Sequence, residues 1–410
     1  MTKPDFKKSV EMFERAQKLT PTGYQAPQNP YFYGLGNSPA FLKGAKGCRI
    51  TDVDGNEYVD YLCGLGAMVL GYRHPKVEEA ARKQADQGDL MTFPSERWLD
   101  LAEFMVERIP GMEWANFGKN GSDATSYMVQ VARTHTGKNG IAMISHAYHG
   151  IHHWCCGPTP GVPEEYRKHV YEFAFNDTEG LEKIVSEHSG DMAAVILTPV
   201  RHDVADDQEL PAEGFFKKVR EICDREGMLL LLDDIRCGFR YHPDGSAAYF
   251  GMDADMIAFG KAVSNGQPIS IAMGKEKLMD AARQFMWIGT HFYSAVPMAA
   301  AIACLTELKE SGAVEHMTAM GEMLREGVTG AAEEAGLPVR YSGHPTMPLL
   351  LFEEDPAFER AKKLSALMIE KGFLIHPIHN WFISAAHKEE DISRTVDAFS
   401  ESFQEIANEG

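Results

Sequence analysis

The sequence is poor in the features that mark membrane, secreted and nucleic-acid-binding proteins. No uninterrupted apolar run approaches the roughly 18 residues that a membrane-spanning helix needs. The N-terminal stretch MTKPDFKKSVEMFERAQKLT lacks the apolar core of a secretory signal. Only 40 Lys and Arg residues stand against 59 Asp and Glu residues, and the formal charge of -19 disfavours binding to phosphate backbones and anionic lipids. We therefore expect neither nucleic acid nor a membrane as a partner.

Cysteine is also scarce, with seven residues in a chain of 410. The number is odd, and the residues are scattered along the chain: Cys48, Cys63, Cys155, Cys156, Cys223, Cys237 and Cys304. This distribution suits reduced thiols in a cytosolic protein better than a disulfide framework. We expect a cytoplasmic protein.

Internal repeats and low-complexity stretches are absent, and hydrophobic patterns carry the information about the fold. From about residue 75 onward, helical stretches such as AEGFFKKVREICDREG alternate with short apolar runs: GIAMIS, AAVILTPV, MLLLLD and DMIAFG. Strands that are buried on both faces of a parallel sheet have this composition. The pattern predicts an α/β domain.

The sequence patterns near the two ends of the chain predict smaller structural elements. The N-terminal part has a helical pattern over residues 5–19, a long loop, and a hairpin signal at Asp54-Gly55 in CRITDVDGNEYVDYL. The C-terminal part is helical, with two strand-like pieces (PLLLFEE and GFLIHP) and a final amphipathic helix. A single core stops growing at roughly 250–300 residues. We predict a large domain over residues 61–310, and a small α+β domain over 311–410 that the N-terminal segment 1–60 joins.

Charged residues follow two of the apolar runs. Ligands of open α/β sheets bind beyond the carboxyl ends of the strands, so these positions are candidate site residues. Asp233 and Asp234 follow MLLLL, where a carboxylate needs a cation or a donor, although an aspartate that caps the next turn would look the same. Lys261 follows DMIAFG, where desolvation would make its amine a usable nucleophile, although most lysines are simply solvated.

A third candidate is the helix start in WANFGKNGSDATSYMVQVAR, at about Asp123. Free backbone N–H groups there, together with Ser122, are suited to a phosphate, although many helices begin with such residues as simple caps. A carboxylate for a pyridine nitrogen, a lysine for a Schiff base and a phosphate site are together what pyridoxal 5'-phosphate (PLP) requires. The combination predicts a PLP enzyme.

Several segments also resemble those of class III PLP-dependent aminotransferases. LLLLDDIRCGFR resembles the family's strand-end aspartate segment, and IAFGKAVSNGQP resembles its lysine segment. Four other segments are especially similar to the branch of glutamate-1-semialdehyde aminomutase and the β-amino-acid aminotransferases: DVDGNEYVDYLCGLGAMVLGYRHP, KNGSDATSYMVQVAR, AYHG and ISAAHKEEDISRTVDAF. The similarity runs in order from about residue 10 to the end.

The resemblance implies a fold type I transferase with a mainly parallel seven-stranded sheet in the large domain, acting as a homodimer with its active sites at the subunit interface. It implies that Lys261 forms the Schiff base and that Asp233 pairs with the pyridine nitrogen. Gly121 and Ser122 would bind the phosphate. Two further roles rest on the resemblance alone: Tyr148 would stack on the ring, and Thr290 would reach the phosphate in the neighbouring subunit.

The sequence departs from the resemblance at the residue that binds a substrate carboxylate. The branch uses an arginine in the loop after the first helix, but no arginine occurs between Arg15 and Arg49. Either another residue meets the carboxylate, or the substrate lacks one there. Arg236 and Arg201 are candidate replacements, although a surface ion pair would explain either. In the segment IHPIHNWFIS, His379 and Trp381 are further candidate substrate contacts, as are His376 and Asn380.

Three functions are compatible with these patterns. The first is an aminotransferase that moves an amino group from an amine or (β-)amino acid to a keto acid or aldehyde by a ping-pong mechanism. The second is an aminomutase or racemase of the same family. The third is a non-enzymatic metal-binding protein built on SHAYHGIHHWCC, which holds four histidines and two cysteines at ligand-like spacing. Because AYHG in the family covers the cofactor ring, we expect no metal there.

Overall fold

The computed structural model describes residues 4–25, 30–34 and 36–409. The chain forms two compact units. The first unit comprises residues 1–74, 204–208 and 315–410, and the second comprises 75–203 and 209–314. The division into domains at residues 60/61 and 310/311 stays a prediction. Within the described residues, no helix combines the length and apolar composition needed to cross a membrane.

The N-terminal part of the first unit contains the predicted helix and hairpin. Its elements are α1 (Lys7–Leu19), β1 (Leu42–Lys46), β2 (Arg49–Asp52), β3 (Glu57–Asp60) and a short turn of helix, α2 (Cys63–Gly66). Strands β2 and β3 are antiparallel, which confirms the hairpin around Asp54-Gly55. The Asp54 carboxylate accepts the backbone N–H groups of Lys8 and Ser9 at 2.7 and 2.9 Å. The hairpin turn thus satisfies free donors at the start of α1.

The second unit is built on one sheet, which confirms the α/β prediction. Its strands are β4 (Trp114–Gly118), β5 (Gly140–Ile144), β6 (Val170–Phe173), β7 (Met192–Leu197), β8 (Leu229–Asp233), β9 (Met256–Phe259) and β10 (Ser270–Gly274). They lie in the order β4-β10-β9-β8-β7-β5-β6. Only β10 runs antiparallel to its neighbours, so the sheet is mainly parallel and seven-stranded, as expected.

The four apolar runs of the sequence are strands β5, β7, β8 and β9, and every residue in them is buried. Helices surround this sheet: α3 (Pro75–Gln87), α4 (Glu96–Arg108), α5 (Gly121–Thr136), α6 (Thr178–Glu187), α7 (Phe215–Glu226), α8 (Ser246–Phe250), α9 (Met279–Ala282) and α10 (Ala295–Glu310). A hydrophobic core lies between α5 and the sheet, where Tyr127, Met128 and Val131 pack with residues of β5, β7 and β8. Burial on both faces explains why these strands have no polar alternation.

The C-terminal part contains α11 (Ala313–Glu334), β11 (Val339–Ser342), β12 (Leu349–Phe352), α12 (Glu359–Glu370), β13 (Phe373–Leu374) and α13 (Glu389–Glu409). Strands β11 and β12 form an antiparallel pair. Strand β13 pairs in parallel with β3, so the N-terminal and C-terminal parts of the first unit share one sheet, in the order β1-β2-β3-β13.

Candidate active site

The candidate site lies at the carboxyl edge of the large sheet. Strands β5, β7, β8 and β9 are consecutive in the sheet and parallel, so the residues that follow them collect at one edge. Asp233 is the last residue of β8 and pairs in register with Ala258 of β9. Lys261 comes two residues after β9 ends. The structure thus places the predicted aspartate and lysine at the ends of adjacent strands.

Lys261 has an unusual backbone and an unusual side-chain environment. Its φ angle is +44°, a left-handed value that is strained for a residue with a Cβ and that is typical of functional sites. Burial, and after it the neighbouring Arg236 cation, lowers the pKa of its amine from 10.5 to about 8. A larger share of the amine is therefore neutral and nucleophilic near physiological pH than for an ordinary lysine.

Asp233 contacts a histidine of the loop that follows β5, which we call the His-rich loop (residues 145–156). The Asp233 carboxylate lies 2.7 Å from His149 Nδ1, and both side chains are almost fully buried. The second carboxylate oxygen accepts the backbone N–H of Ile235 at 3.2 Å. The Thr125 hydroxyl donates to the backbone carbonyl of His149 at 2.7 Å and fixes the loop on helix α5. The sequence analysis did not identify this contact, because the two partners lie 84 positions apart.

The predicted phosphate site is the first turn of helix α5. The helix begins at Gly121, two residues before the predicted start, and Ser122 is buried beside it. The Ser122 hydroxyl accepts the backbone N–H of Ile151 at 3.0 Å. Gly150 has φ +124°, and a Cβ there would lie only 2.4 Å from the same hydroxyl oxygen, so only glycine fits. The His-rich loop therefore passes directly over the helix start.

Tyr148 and Thr290, whose roles were inferred from the resemblance, are both exposed. Tyr148 is the residue before His149, and 58% of its surface is accessible. Thr290 lies in the turn that precedes α10. Both side chains are thus available for contacts, and their assignment to the cofactor ring and to the phosphate of a neighbouring subunit stays a prediction.

The two candidate arginines have different surroundings. Arg236 follows β8, is partly exposed, and donates through Nη1 to the backbone carbonyl of His202 at 2.8 Å. Burial lowers its pKa. Arg201 follows β7 and forms ion pairs with Asp203 and Glu209, at 3.9 and 3.6 Å. Arg201 is therefore already engaged by two carboxylates.

His202 is a site residue that the sequence analysis missed. Its imidazole is buried, and burial followed by the Arg236 cation lowers its pKa well below 6.5. Lys261 and His149 also act on it electrostatically, so it lies among the residues of the site. It stands directly after Arg201, at the end of the segment that follows β7. Considering one more residue after the apolar run AAVILTPV, beyond Arg201, would have identified it.

The candidate substrate contacts of the segment 376–381 belong to the first unit. Trp381 is only 1% exposed, and its indole N–H donates to the His376 carbonyl at 2.9 Å. Its ring packs on those of Tyr341 and Phe399. A substrate can touch only an accessible surface, so the predicted direct contact of Trp381 is not supported by this arrangement. His379 is also buried, and its Nδ1 lies 2.7 Å from the Asn380 carbonyl.

The histidines and cysteines of SHAYHGIHHWCC do not converge on one point. Among the residues that the structure describes, no group of three or more His, Cys, Asp and Glu side chains is arranged to hold a metal ion. His149 contacts Asp233, and His152 Nδ1 lies 2.6 Å from the Ser126 hydroxyl. Two of the four imidazoles thus have other partners.

The chemistry of these residues fits PLP. The buried carboxylate of Asp233 suits a protonated pyridine nitrogen, and the Lys261 amine suits an aldehyde. The start of α5 suits a phosphate at Gly121 and Ser122, because the first N–H groups of a helix have no acceptor within it, whereas the N–H of Asp123 is already capped by Asn120. The tight approach of Gly150 to Ser122 brings the loop that carries Tyr148 onto this same turn.

Comparisons with known proteins agree with this chemistry. Residues 33–401 match the family model of the class-III aminotransferases. An aminopentol aminotransferase of Sphingopyxis macrogoltabida is 39% identical, with coverage of 97% of this chain and 94% of the relative. A glutamate-1-semialdehyde 2,1-aminomutase of Desulforamulus reducens is 32% identical, with coverage of 99% and 100%.

The same agreement extends to solved structures. The FumI protein of Sphingopyxis sp. MTA144, solved in its PLP internal aldimine form, is 38% identical and superposes with a TM-score of 0.96. The match covers 98% of this chain and 97% of that one. The chain belongs to the class-III aminotransferase family, and it is a PLP-dependent enzyme of the aminotransferase type.

Proposed function

We propose that the protein transfers the amino group of an amine that lacks a carboxylate on its reacting carbon to a keto acid. The observation that carries this proposal is the arrangement of Asp233 and Lys261 at the ends of adjacent parallel strands, beside the start of α5. Asp233 would hold the pyridine nitrogen, Gly121 and Ser122 the phosphate, and Tyr148 the ring. PLP, when bound, supplies a conjugated ring that accepts electrons from the substrate carbon.

Lys261 is the proposed catalytic residue. Once an incoming amine has displaced it, Lys261 Nζ would take the proton from the amine-bearing carbon as a base and would then, as an acid, deliver it to the former aldehyde carbon of the cofactor. The lowered pKa of about 8 supports both roles, because proton transfer is most effective when the pKa lies near the working pH. His149 would keep the Asp233 carboxylate in its orientation throughout.

The missing arginine supports an amine without a carboxylate as the donor. No arginine occurs between Arg15 and Arg49, where the related branch binds a substrate carboxylate. The relative that is 39% identical acts on an aminopentol, by its name an amino alcohol. Among the two candidate arginines, we assign the carboxylate of the keto acid to Arg236, because it is partly exposed and acts on the pKa of Lys261. Arg201 forms ion pairs instead.

The proposal includes a homodimer in a cytoplasmic location. Large apolar side chains are exposed in two loops of the second unit, among them Phe93, Met286 and Ile288, each more than 70% accessible. Large apolar side chains that are exposed in a monomer are often covered at subunit interfaces. The exposed Thr290 follows Ile288 closely, which supports its proposed contact with the phosphate of the partner. All seven cysteines are free thiols, as suits a reducing compartment.

The test is a pair of half-reactions on the PLP-loaded protein. We expect an amino alcohol, or a simple primary amine whose nitrogen sits on a secondary carbon, to remove the yellow colour of the bound cofactor, and pyruvate to restore it with formation of alanine. Lys261→Ala should show neither change. Migration or racemisation of the amino group without consumption of a keto acid would instead establish the isomerase alternative, which the aminomutase relative represents.

A further inference from the structure

The proposed chemistry gives no role to Arg201, although it follows β7 at the carboxyl edge of the sheet. Its backbone pairs with that of Glu209: the N–H of Arg201 donates to the Glu209 carbonyl at 2.9 Å, and the N–H of Glu209 donates back at 3.0 Å. This bridge closes a loop of residues 201–209, which we call the Arg201 loop. His202, whose carbonyl accepts Arg236 Nη1 at 2.8 Å, lies in the loop directly beside the bridge.

The Arg201 side chain ties together the two arms of the same loop. Its Nε lies 3.9 Å from the Asp203 carboxylate and 3.6 Å from the Glu209 carboxylate. The Asn176 side-chain amide donates to the Glu209 carboxylate at 2.7 Å and fixes it from outside the loop. The backbone bridge and the ion pairs act on the same two arms, so they give the chain around His202 a defined shape.

The Asp203 carboxylate attracts two arginines. It forms the ion pair with Arg201, and it also raises the pKa of Arg236 electrostatically. The Asp203 side chain is only 13% exposed, so solvent screens its attraction for a nearby cation weakly. Removing the Arg201 cation would turn Asp203 toward Arg236, because a largely buried carboxylate needs a cationic partner. Part of the charge that a ligand carboxylate needs would then be neutralised.

We propose that Arg201 is a positioning residue for Arg236: by holding Asp203 and the Arg201 loop, it keeps the Arg236 guanidinium on the His202 carbonyl and available to the carboxylate of the keto acid. The inference rests on the proposed function, which assigns that carboxylate to Arg236. It gives the other candidate arginine a role that needs no contact with the substrate. Affinity for the acceptor, and not reaction with the amine, is the property that depends on it.

The surroundings of Arg201 disfavour a direct contact with the substrate. Two carboxylates already flank its guanidinium, and a third, from a ligand, would be repelled by both. The bond that Arg236 donates to the His202 carbonyl goes to an uncharged acceptor, which repels a ligand carboxylate far less. The two arginines therefore suit different tasks, one within the loop and the other toward a ligand.

The first test compares three single variants of the PLP-loaded enzyme. Arg201→Gln removes the cation, and Arg201→Lys restores one on a different side chain. Arg225→Gln is the matched control, because Arg225 also forms ion pairs with two carboxylates, those of Glu182 and Glu226. Arg225 precedes β8 in the chain, whereas the site residues follow that strand. The donor is sec-butylamine and the acceptor is pyruvate, and each half-reaction is measured by itself.

Arg201→Gln should affect only the half-reaction with pyruvate. We expect the pyruvate concentration that gives half the maximal rate to rise about fivefold or more, because a charge-assisted contact is weakened. The maximal rate with pyruvate and the rate with sec-butylamine should stay within about twofold of the native values. Arg201→Lys should recover most of the affinity for pyruvate, and Arg225→Gln should behave as the native enzyme.

A double variant separates positioning from direct binding. Arg236→Gln alone should raise the half-saturating pyruvate concentration about tenfold or more, because it removes the proposed carboxylate contact. Adding Arg201→Gln to it should cause no further rise, because Arg201 acts through Arg236. A further rise would mean that Arg201 binds pyruvate itself, and slower reaction with both substrates would mean general damage to the loop. Either result, or an unchanged affinity in Arg201→Gln, would overturn the proposal.

A second measurement does not depend on transamination. The yellow colour that appears when PLP is added to the PLP-free protein, followed against pH, reports the pKa of the Lys261 amine. Burial, and after it Arg236, lowers this pKa to about 8. Arg201→Gln should raise it, because Asp203 then neutralises more of the Arg236 charge. The other groups that act on Lys261 are the same in every variant: Asp233, Cys237 and Arg240.

The rise in the pKa of Lys261 should disappear when Arg236→Gln is already present. An equal rise in both backgrounds would show that Arg201 acts on Lys261 directly, and would contradict the positioning role. Failure of the proposed function has a separate signature, because the native enzyme would then not regain its yellow colour with pyruvate. The pKa of Lys261 would in that case still decide whether Arg201 positions Arg236.

Discussion

The sheet edge of the second unit and the histidine-rich part of the first unit both bury ionisable side chains. The first region buries charged groups, whereas the second buries neutral imidazoles. At the sheet edge, two cations lie near one carboxylate: Arg236 lowers the pKa of Lys261, whereas Asp233 raises it. In the first unit, burial lowers the pKa of His344, His376 and His387 to about 4, so they are neutral at pH 7. Neutral imidazoles can serve packing, whereas buried charges are retained where chemistry needs them.

The largest effect is expected from removing the charge at the sheet edge. Lys261→Met should lower the transamination rate by roughly 10⁴-fold or more, because it removes both the nucleophile and the proton carrier. The same change should stabilise the PLP-free protein by about 1–2 kcal/mol at pH 7, since a desolvated ammonium is removed. Stopped-flow kinetics and urea unfolding measure the two effects.

The control for the predicted stabilisation is the pH dependence of the unfolding free energy of the PLP-free protein. A lysine whose pKa falls from 10.5 in the unfolded chain to about 8 in the fold makes the PLP-free protein more stable as pH rises between these values. The Lys261→Met variant should lack this rise. An identical rise in both proteins would show that the buried charge of Lys261 has no energetic consequence.

Two adjacent aspartates allow a carboxylate of the proposed site to be compared with a buried carboxylate beside it. Asp233 contacts His149, whereas Asp234 is fully buried, accepts the backbone N–H of Ser246 at 2.8 Å, and has its pKa raised to about 7 by burial. Asp233→Asn should lower the rate roughly 10- to 150-fold, as expected for one charge-assisted hydrogen bond of about 1.5–3 kcal/mol. Asp234→Asn keeps the acceptor for Ser246 and should leave the rate within about twofold. Equal losses would mean that the two carboxylates share one role.

The two regions also differ in how far the sequence predicts them. Asp233 and Lys261 could be identified because fully apolar runs mark buried parallel strands, and ligands bind at their ends. The bond between His149 and Asp233 could not, because it depends on the neighbouring order of β5, β7 and β8, which no local pattern encodes. Trp381 was assigned to the substrate pocket from its position in the resemblance, but the structure places it in the core.

The neutral histidines of the first unit predict an acid-sensitive fold. Their pKa values of about 4 lie below the unfolded value of 6.5, so the unfolded chain binds more protons between these values. Stability should be fully present above pH 6.5 and fall as pH drops toward 4, by up to about 3 kcal/mol for each histidine. His387→Gln should reduce this slope in urea unfolding across that range. An unchanged slope would show that His387 is already protonated in the fold.

The smallest expected effect separates packing from substrate contact at Trp381. Its indole fills the core between Tyr341 and Phe399 and donates to the His376 carbonyl. Trp381→Phe keeps an aromatic ring but loses that hydrogen bond and some volume, so we expect a loss of about 1–2 kcal/mol in unfolding free energy. KM and kcat for every amine should stay within about twofold of the native values. A donor-dependent change in KM, at unchanged stability, would return Trp381 to the substrate pocket, because a core residue has no means of distinguishing one amine from another.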